Sequence, residues 1–125
     1  MLTIQLLPQP LTVCKVESLA DFSMAGLCFI GQTDSELSLV CETALVPART
    51  LAREDGWRAL RVAGPLEFSL TGILSGIAST LAAAEVPIFA VSTYDTDYIL
   101  VKRENLARAV AALTAAGYAF REAGA

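Results

Sequence analysis

The chain of 125 residues suits one compact domain or two very small modules that share a core. Hydrophobic residues make up 54% of it and charged residues 18%, a composition that supplies a sizeable core and argues against disorder. The formal net charge is −4 and the Lys and Arg residues are scattered, which argues against nucleic acids and anionic membranes as partners.

The N-terminal half carries the weaker structural pattern. Its predicted elements are a strand at residues 11–16, a short weak helix at 18–25, a hairpin of 27–30 and 37–42, one or two helical turns within 47–53, and a strand at 57–62. Asp55-Gly56 separates the last two elements, and residues 63–65 form the predicted junction with the second half.

The C-terminal half begins with a clear helix. Its apolar residues share one helical face by their spacing, namely Ile73, Leu74, Ile77, Ala78 and Leu81. Ser69 or Thr71 is placed to cap the start of this helix. Pro87 prevents its continuation, because proline cannot extend a helix.

A hairpin, a second helix and a last strand complete this half. Residues 88–92 and 98–101 predict two strands around a polar turn at 93–96. Asn105 is predicted to cap the second helix, and Gly117 to end it in a left-handed conformation. The apolar stripe of that helix consists of Leu106, Ala109, Val110 and Leu113. The last strand follows at 118–120.

With one more strand just before Ser69, the order of elements is β-α-β-β-α-β, the ferredoxin-like unit. The N-terminal half reads as a degenerate copy, since Gly56-Trp57 loosely echoes Gly117-Tyr118. We therefore predict an α+β fold of two tandem ferredoxin-like modules, residues 1–63 and 64–125, with antiparallel sheets and helices on one face.

Catalytic and metal-binding groups are sparse in this sequence. There is no histidine, which excludes an imidazole base and His-ligated metals. Cys14, Cys28 and Cys41 are far apart, and we expect small buried thiols in a reducing compartment. Asp95 and Asp97 flank a turn residue, where Asp is common, although such a pair can also serve acid–base chemistry or metal binding. We predict no catalysis, no cofactor and no metal.

The sequence also indicates where the protein resides. The first basic residue is Lys15, so no secretory signal is predicted. The most apolar early run, residues 22–30, falls short of the ~20 residues that a membrane span needs. We expect a soluble cytoplasmic protein.

Gly72 lies at the predicted junction of a strand and a helix. Backbone N–H groups point outward at such a junction, and the helix dipole favours a carboxylate or phosphate there. The sequence does not continue as a phosphate-binding loop, because no Gly-Lys-Ser/Thr follows. Gly72 can also serve a tight turn that binds nothing.

A longer stretch of this half has a family resemblance. Residues 70–101 contain Gly-Ile-Leu, then Leu-Ala-Ala-Ala-Glu-Val-Pro-Ile, then Ser-Thr-Tyr-Asp-Thr-Asp-Tyr-Ile-Leu-Val. This stretch resembles the ACT-domain signature and is most similar to the small bacterial tandem-ACT proteins. It is similar through them to the regulatory domains of aspartate kinases and the animal CASTOR arginine sensors. The first half of the chain matches by position and pattern alone.

The resemblance implies a binding site for an amino acid between two ACT modules, within one chain or between two chains of a homodimer. Two loops would meet the ligand, and their residues here are Leu70, Thr71, Gly72, Ile73 and Leu74, then Thr93, Tyr94, Thr96 and Asp97. Backbone N–H groups near Gly72 would take the α-carboxylate, and Asp97 would take an ammonium or guanidinium group. Tyr94 would offer a packing wall or a cation–π contact.

Two positions depart from the pattern of the arginine sensors. Leu70 stands where they have an acidic residue, and Thr96 where they have an aromatic one. We therefore expect a smaller or more apolar amino acid than arginine. The resemblance implies a regulatory protein that acts on a separate partner. The alternative is an ACT-like interaction or assembly protein that has no ligand.

Overall fold

The computed structural model describes residues 2–63 and 72–122. Strands and helices follow one another in these ranges, with two short 3₁₀ turns at Thr43–Leu45 and Arg103–Asn105. In chain order they are β1 Thr3–Leu6, β2 Leu11–Lys15, β3 Cys28–Gln32, β4 Leu37–Glu42, β5 Ala52–Val62, α1 Ile73–Ala83, β6 Phe89–Ser92, β7 Asp97–Lys102, α2 Leu106–Ala115 and β8 Ala119–Glu122. The fold is mixed α+β, as predicted.

The chain divides into two compact units. One comprises Met1–Pro8 and Arg58–Ala125 and is called the split unit below; the other comprises Gln9–Trp57 and is called the continuous unit. Strand β5 begins in the continuous unit and ends in the split unit. This division differs from the boundary expected at residues 63 and 64. The tandem arrangement of two ACT modules stays a prediction.

The sheet of the split unit has the order β6-β7-β5-β1-β8. Strand β1 is antiparallel to β5, with Ile4 opposite Val62, and parallel to β8, with Ile4 opposite Phe120. Sequence reasoning missed β1 altogether. Its pairing is the reason that the first residues of the chain belong to the same unit as the last.

Both helices bury their predicted faces against this sheet. Ile77 and Leu81 of α1 and Ala109 and Leu113 of α2 are fully buried. The strands contribute a further set of buried side chains to the same core, namely Ile4, Leu60, Val62, Ile99 and Val101. Burial of one such aliphatic side chain contributes about 1.5–3 kcal/mol, so the two helices and the sheet stabilise one another.

The helix ends confirm one predicted feature and correct another. Gly117 has a φ of 102° and ends α2 in the left-handed region, as predicted. Asn105 makes no side-chain cap, because its Oδ1 instead accepts a hydrogen bond from Arg108 Nη2 at 3.0 Å. The capping role predicted for Ser69 or Thr71 lies outside the described residues.

The continuous unit has the strand order β3-β4-β2-β5. Its core contains Cys14, Val16, Leu39 and Cys41. Leu19 and Phe22 pack against this core from a turn in which Phe22 N donates to Leu19 O at 3.0 Å. The helix predicted at 18–25 is therefore wrong, because these apolar side chains reach the core without helical backbone.

The helical turns predicted within residues 47–53 are also wrong. Leu51 N donates to Lys15 O at 2.7 Å, and Ala52 and Arg53 already belong to β5. Gly56 does not end this segment, because β5 passes through it with a φ of 87°. The register between β2 and β5 shifts nearby, between Leu11 and Val13, as at a β-bulge.

The first prediction concerns the helix–sheet core. Leu113→Ala should lower the free energy of unfolding by about 2–5 kcal/mol, because it leaves a cavity beneath α2. The exposed neighbour Thr114 provides a matched control. Thr114→Ala should change stability by less than about 0.5 kcal/mol in the same urea titration. Equal losses would show that α2 does not pack through Leu113.

The second prediction concerns alkaline stability. Burial raises the pKa of the Cys41 thiol from 9.0 to about 11. The unfolded chain therefore releases the thiol proton at a lower pH than the folded protein does. The stability that the protonated Cys41 contributes is complete below pH 9 and is lost as pH rises through about 11. Between these values the wild type should lose more stability than Cys41→Ala in urea titrations. Parallel pH profiles for both proteins would contradict the assignment.

Candidate functional site

The candidate site lies at the end of the split unit's sheet where β5 stops and β7 starts. Thr96 Oγ1 donates a buried hydrogen bond to Val62 O at 2.7 Å. Next to it, Ala63 N donates to Thr3 O at 2.8 Å. These bonds place the β6–β7 turn beside the point where the chain leaves β5 on its way to α1.

The turn between β6 and β7 is closed by its own residues. Thr93 N and Thr93 Oγ1 both donate to Thr96 O, at 2.9 and 3.1 Å. Ser92 Oγ donates to Asp97 Oδ1 at 2.6 Å. The hairpin predicted from the sequence is thus confirmed, with Ser92 opposite Asp97 at its last strand pair.

The four predicted turn residues differ in what they offer a ligand. Tyr94 is 81% exposed, whereas Thr96 is 7% exposed. The hydroxyl of Thr96 is engaged with Val62 O, so its role in the described structure is to fix the turn. Asp97 is half-buried, and its carboxylate has acceptor positions beyond the one that Ser92 uses.

Helix α1 begins directly after a glycine, which has no side chain to cap the helix. Gly72 has a left-handed backbone with a φ of 78°, provides no side-chain cap, and accepts a hydrogen bond from Gly76 N at 2.8 Å. The first turn of α1 carries no acidic side chain. The positive end of the helix dipole is therefore not compensated by the helix's own first turn.

The next two predicted residues have a structural role. Ile73 and Leu74 are half-buried and pack against the core of the split unit. Their side chains position the start of α1, and their backbone continues from Gly72. The remaining predicted site residues, Leu70 and Thr71, lie outside the described residues.

Two partners in this region were not singled out by sequence reasoning. Ser92 orients the Asp97 carboxylate, and Val62 anchors Thr96. Ser92 was detectable as the residue that immediately precedes the turn, and the strand register places it opposite Asp97. The bond to Val62 joins residues 34 positions apart, and no local sequence pattern indicates it.

The described residues offer little for catalysis by metal or thiol. Residues 2–63 and 72–122 contain no cluster of three metal-ligating side chains. Burial raises the pKa of the Cys14 and Cys41 thiols, which disfavours the nucleophilic thiolate. Neither helix in this part of the chain is long and apolar enough to cross a membrane.

Comparison with known protein families assigns the fold. The described residues form a mixed α+β unit with two helices on an open sheet, a fold that it shares with solved regulatory subunits of aspartate kinase. The profile of the ACT domain matches residues 52–115, just over half of the 125 residues. The chain belongs to the ACT-domain family.

Two solved structures are similar over nearly the whole chain. The protein Atu0741 from Agrobacterium tumefaciens is 28% identical, with a TM-score of 0.88, over 99% of this chain and 95% of that one. The regulatory subunit of aspartate kinase from Thermus thermophilus is 9% identical, with a TM-score of 0.63, over 91% of this chain and 96% of that one. The second likeness is one of fold alone.

A similar stretch occurs in a human protein, the cytosolic arginine sensor for mTORC1 subunit 1. It is 36% identical over 58 residues, which are 46% of this chain and 18% of the human protein. The match therefore spans less than a fifth of that relative. The predicted resemblance to the arginine sensors and to the aspartate kinase regulatory domains is confirmed.

The third prediction concerns the anchor of the turn. Thr96→Val keeps the side-chain shape and removes the donor to Val62 O, so the free energy of unfolding should fall by about 1–2 kcal/mol. Thr93→Val is the matched control, because Thr96 O keeps its bond from Thr93 N. Its cost in thermal unfolding should stay below about 0.5 kcal/mol. Equal costs would show that the bond to Val62 contributes nothing.

Proposed function

We propose that this protein is a non-catalytic cytoplasmic regulator that binds an amino acid between ACT modules and acts on a separate protein. The observation that carries the proposal is the placement of the β6–β7 turn beside the end of β5, fixed by the bond from Thr96 to Val62. This bond places the turn, and with it Asp97, beside the end of β5, from which the chain continues to helix α1.

The N-terminus of α1 is the proposed position of the ligand's carboxylate. Gly72 has no Cβ, and among the described residues beyond its chain neighbours no atom lies within 4 Å of where one would project. A ligand can therefore approach this backbone closely. The uncompensated dipole of α1 attracts an anion, and the backbone N–H groups of its first turn are the donors.

Asp97 is the proposed partner of the ligand's ammonium group. Its carboxylate is oriented by Ser92 and can accept a charge-assisted hydrogen bond at a remaining position. The ring of Tyr94, at the turn, supplies exposed aromatic surface for the ligand's apolar part. Together these groups suit a zwitterion with a small or apolar side chain.

A second copy of the chain completes the proposed site. Tyr94 is a large hydrophobic side chain at 81% exposure, and contact with another subunit would cover it. A ligand held between two copies would be shielded from water on both sides, which strengthens its polar contacts. The proposed protein is therefore a homodimer whose subunits share the ligand.

The fourth prediction is a thermal-shift screen of the wild type against the twenty amino acids. At a hundredfold excess over its Kd, a ligand adds about 2.7 kcal/mol of stability and raises Tm by several degrees. Asp97→Asn should abolish this shift, because it removes the charge while an amide oxygen can still accept from Ser92. Asp95→Asn, two residues away and exposed, should keep it.

The outcomes separate the proposal from its alternative. A shift with one or a few amino acids that depends on Asp97 supports a ligand-binding regulator and identifies the ligand. No shift with any amino acid, for a protein that light scattering shows to be dimeric, would favour an ACT-like assembly protein without a ligand. Equal effects of Asp97→Asn and Asp95→Asn on the thermal shift would show that Asp97 does not bind the ligand.

A further inference from the structure

The continuous unit contains a pocket that the function proposed above does not use. Its volume is about 250 Å³, and it lies between the segment after β2 and the segment before β5. The lining residues are Glu17, Ser18, Asp21, Pro47, Arg49, Thr50 and Leu51. None of them belongs to the site at the β6–β7 turn.

Both walls of this pocket are fixed to the same core. Leu19 and Phe22 hold the first wall by packing against the core of the continuous unit, and Val46 holds the second. A hydrogen bond from Leu51 N to Lys15 O, at 2.7 Å, joins the second wall to the end of β2. The pocket is therefore built by anchored segments that happen to lack regular secondary structure.

The charged side chains of the pocket have no partners in the part of the chain that the structure describes. Glu17, Asp21 and Arg49 line it together, yet none of them forms a hydrogen bond or ion pair with any other residue in ranges 2–63 and 72–122. Two carboxylates and one guanidinium give the lining a net charge of −1. Such unpaired charges of both signs around one cavity are complementary to a ligand that carries both signs.

The lining also has an apolar part. Pro47 is buried at the wall, and Leu51 is 55% exposed beside it. An aliphatic chain placed against Leu51 would cover apolar surface that water now contacts. The volume is below the range of about 300–1,000 Å³ that drug-sized ligands occupy, so the ligand is of amino-acid size.

We propose that this pocket binds a basic amino acid. The guanidinium of Arg49 takes the α-carboxylate, and Glu17 and Asp21 take the α-ammonium and the side-chain cation. Pro47 and Leu51 contact the aliphatic stem between the two ends. The two positive charges and one negative charge of the ligand then match the one positive and two negative charges of the lining.

Isothermal titration calorimetry with L-lysine and two analogues tests this assignment. Norleucine lacks the side-chain cation and cadaverine lacks the carboxylate, so each should bind at least about tenfold more weakly than lysine. Arg49→Gln and Asp21→Asn should each weaken lysine binding about fivefold or more. The control Asp34→Asn, an exposed carboxylate in the β3–β4 turn, should change it less than about twofold.

The substitutions should leave the fold intact. Because Arg49 and Asp21 have no partners among the described residues, Arg49→Gln and Asp21→Asn should melt within about 2 °C of the wild type without ligand. Failure of saturable lysine binding, or equal binding of norleucine, would overturn the proposal. Loss of lysine binding in Asp97→Asn, with full binding in Arg49→Gln, would assign lysine to the β6–β7 turn instead.

Discussion

The pairing of β1 between β5 and β8 is the constraint on which the split unit depends. Ile4 is fully buried between Val62 and Phe120, and Arg58 donates to Leu7 O through Nε and Nη2 at 3.1 and 2.8 Å. Without β1, the backbone groups that β5 and β8 turn toward it would lose their partners, which is costly in a buried sheet. The helices pack on a surface that exists only when this strand is in place.

The same constraint fixes the candidate site. Thr3 O accepts from Ala63 N, and Val62 O accepts from Thr96 Oγ1, so the start of β1, the end of β5 and the β6–β7 turn are held together. A site assembled from a turn and a helix start needs such rigid support, since ligand groups must meet their partners within hydrogen-bond distance. The charged group at this place, Asp97, is itself held by Ser92.

Local periodicity was sufficient to predict the elements of the C-terminal half. The apolar spacing of α1 and α2, the stop at Gly117 and the alternating strands of the hairpin are properties of neighbouring residues. Strand β1 escaped prediction because its four residues form a strand only by pairing with residues more than fifty positions away. Helices were predicted wrongly in the continuous unit, where tertiary packing of Leu19 and Phe22 overrode weak helical propensity.

The turn that carries four of the candidate site residues was predictable from the sequence, but the separate roles of its side chains were not. The spacing of Thr93, Tyr94, Thr96 and Asp97 marks the turn, but the sequence cannot show which of these side chains the protein itself uses. The structure assigns the Thr96 hydroxyl to the end of β5 and leaves Tyr94 at the surface. The pocket of the continuous unit had no local signal, because its two walls come from segments about thirty residues apart.

Amide NMR spectra recorded during titration with the amino acid that stabilises the protein would locate the ligand site. The largest shifts should fall on Gly72, Ile73 and Leu74 and on residues 93–97, and all of them should saturate with a single dissociation constant. Shifts confined to α2 and β8, or spectra unchanged at millimolar concentrations of every amino acid, would contradict a ligand site at the β6–β7 turn.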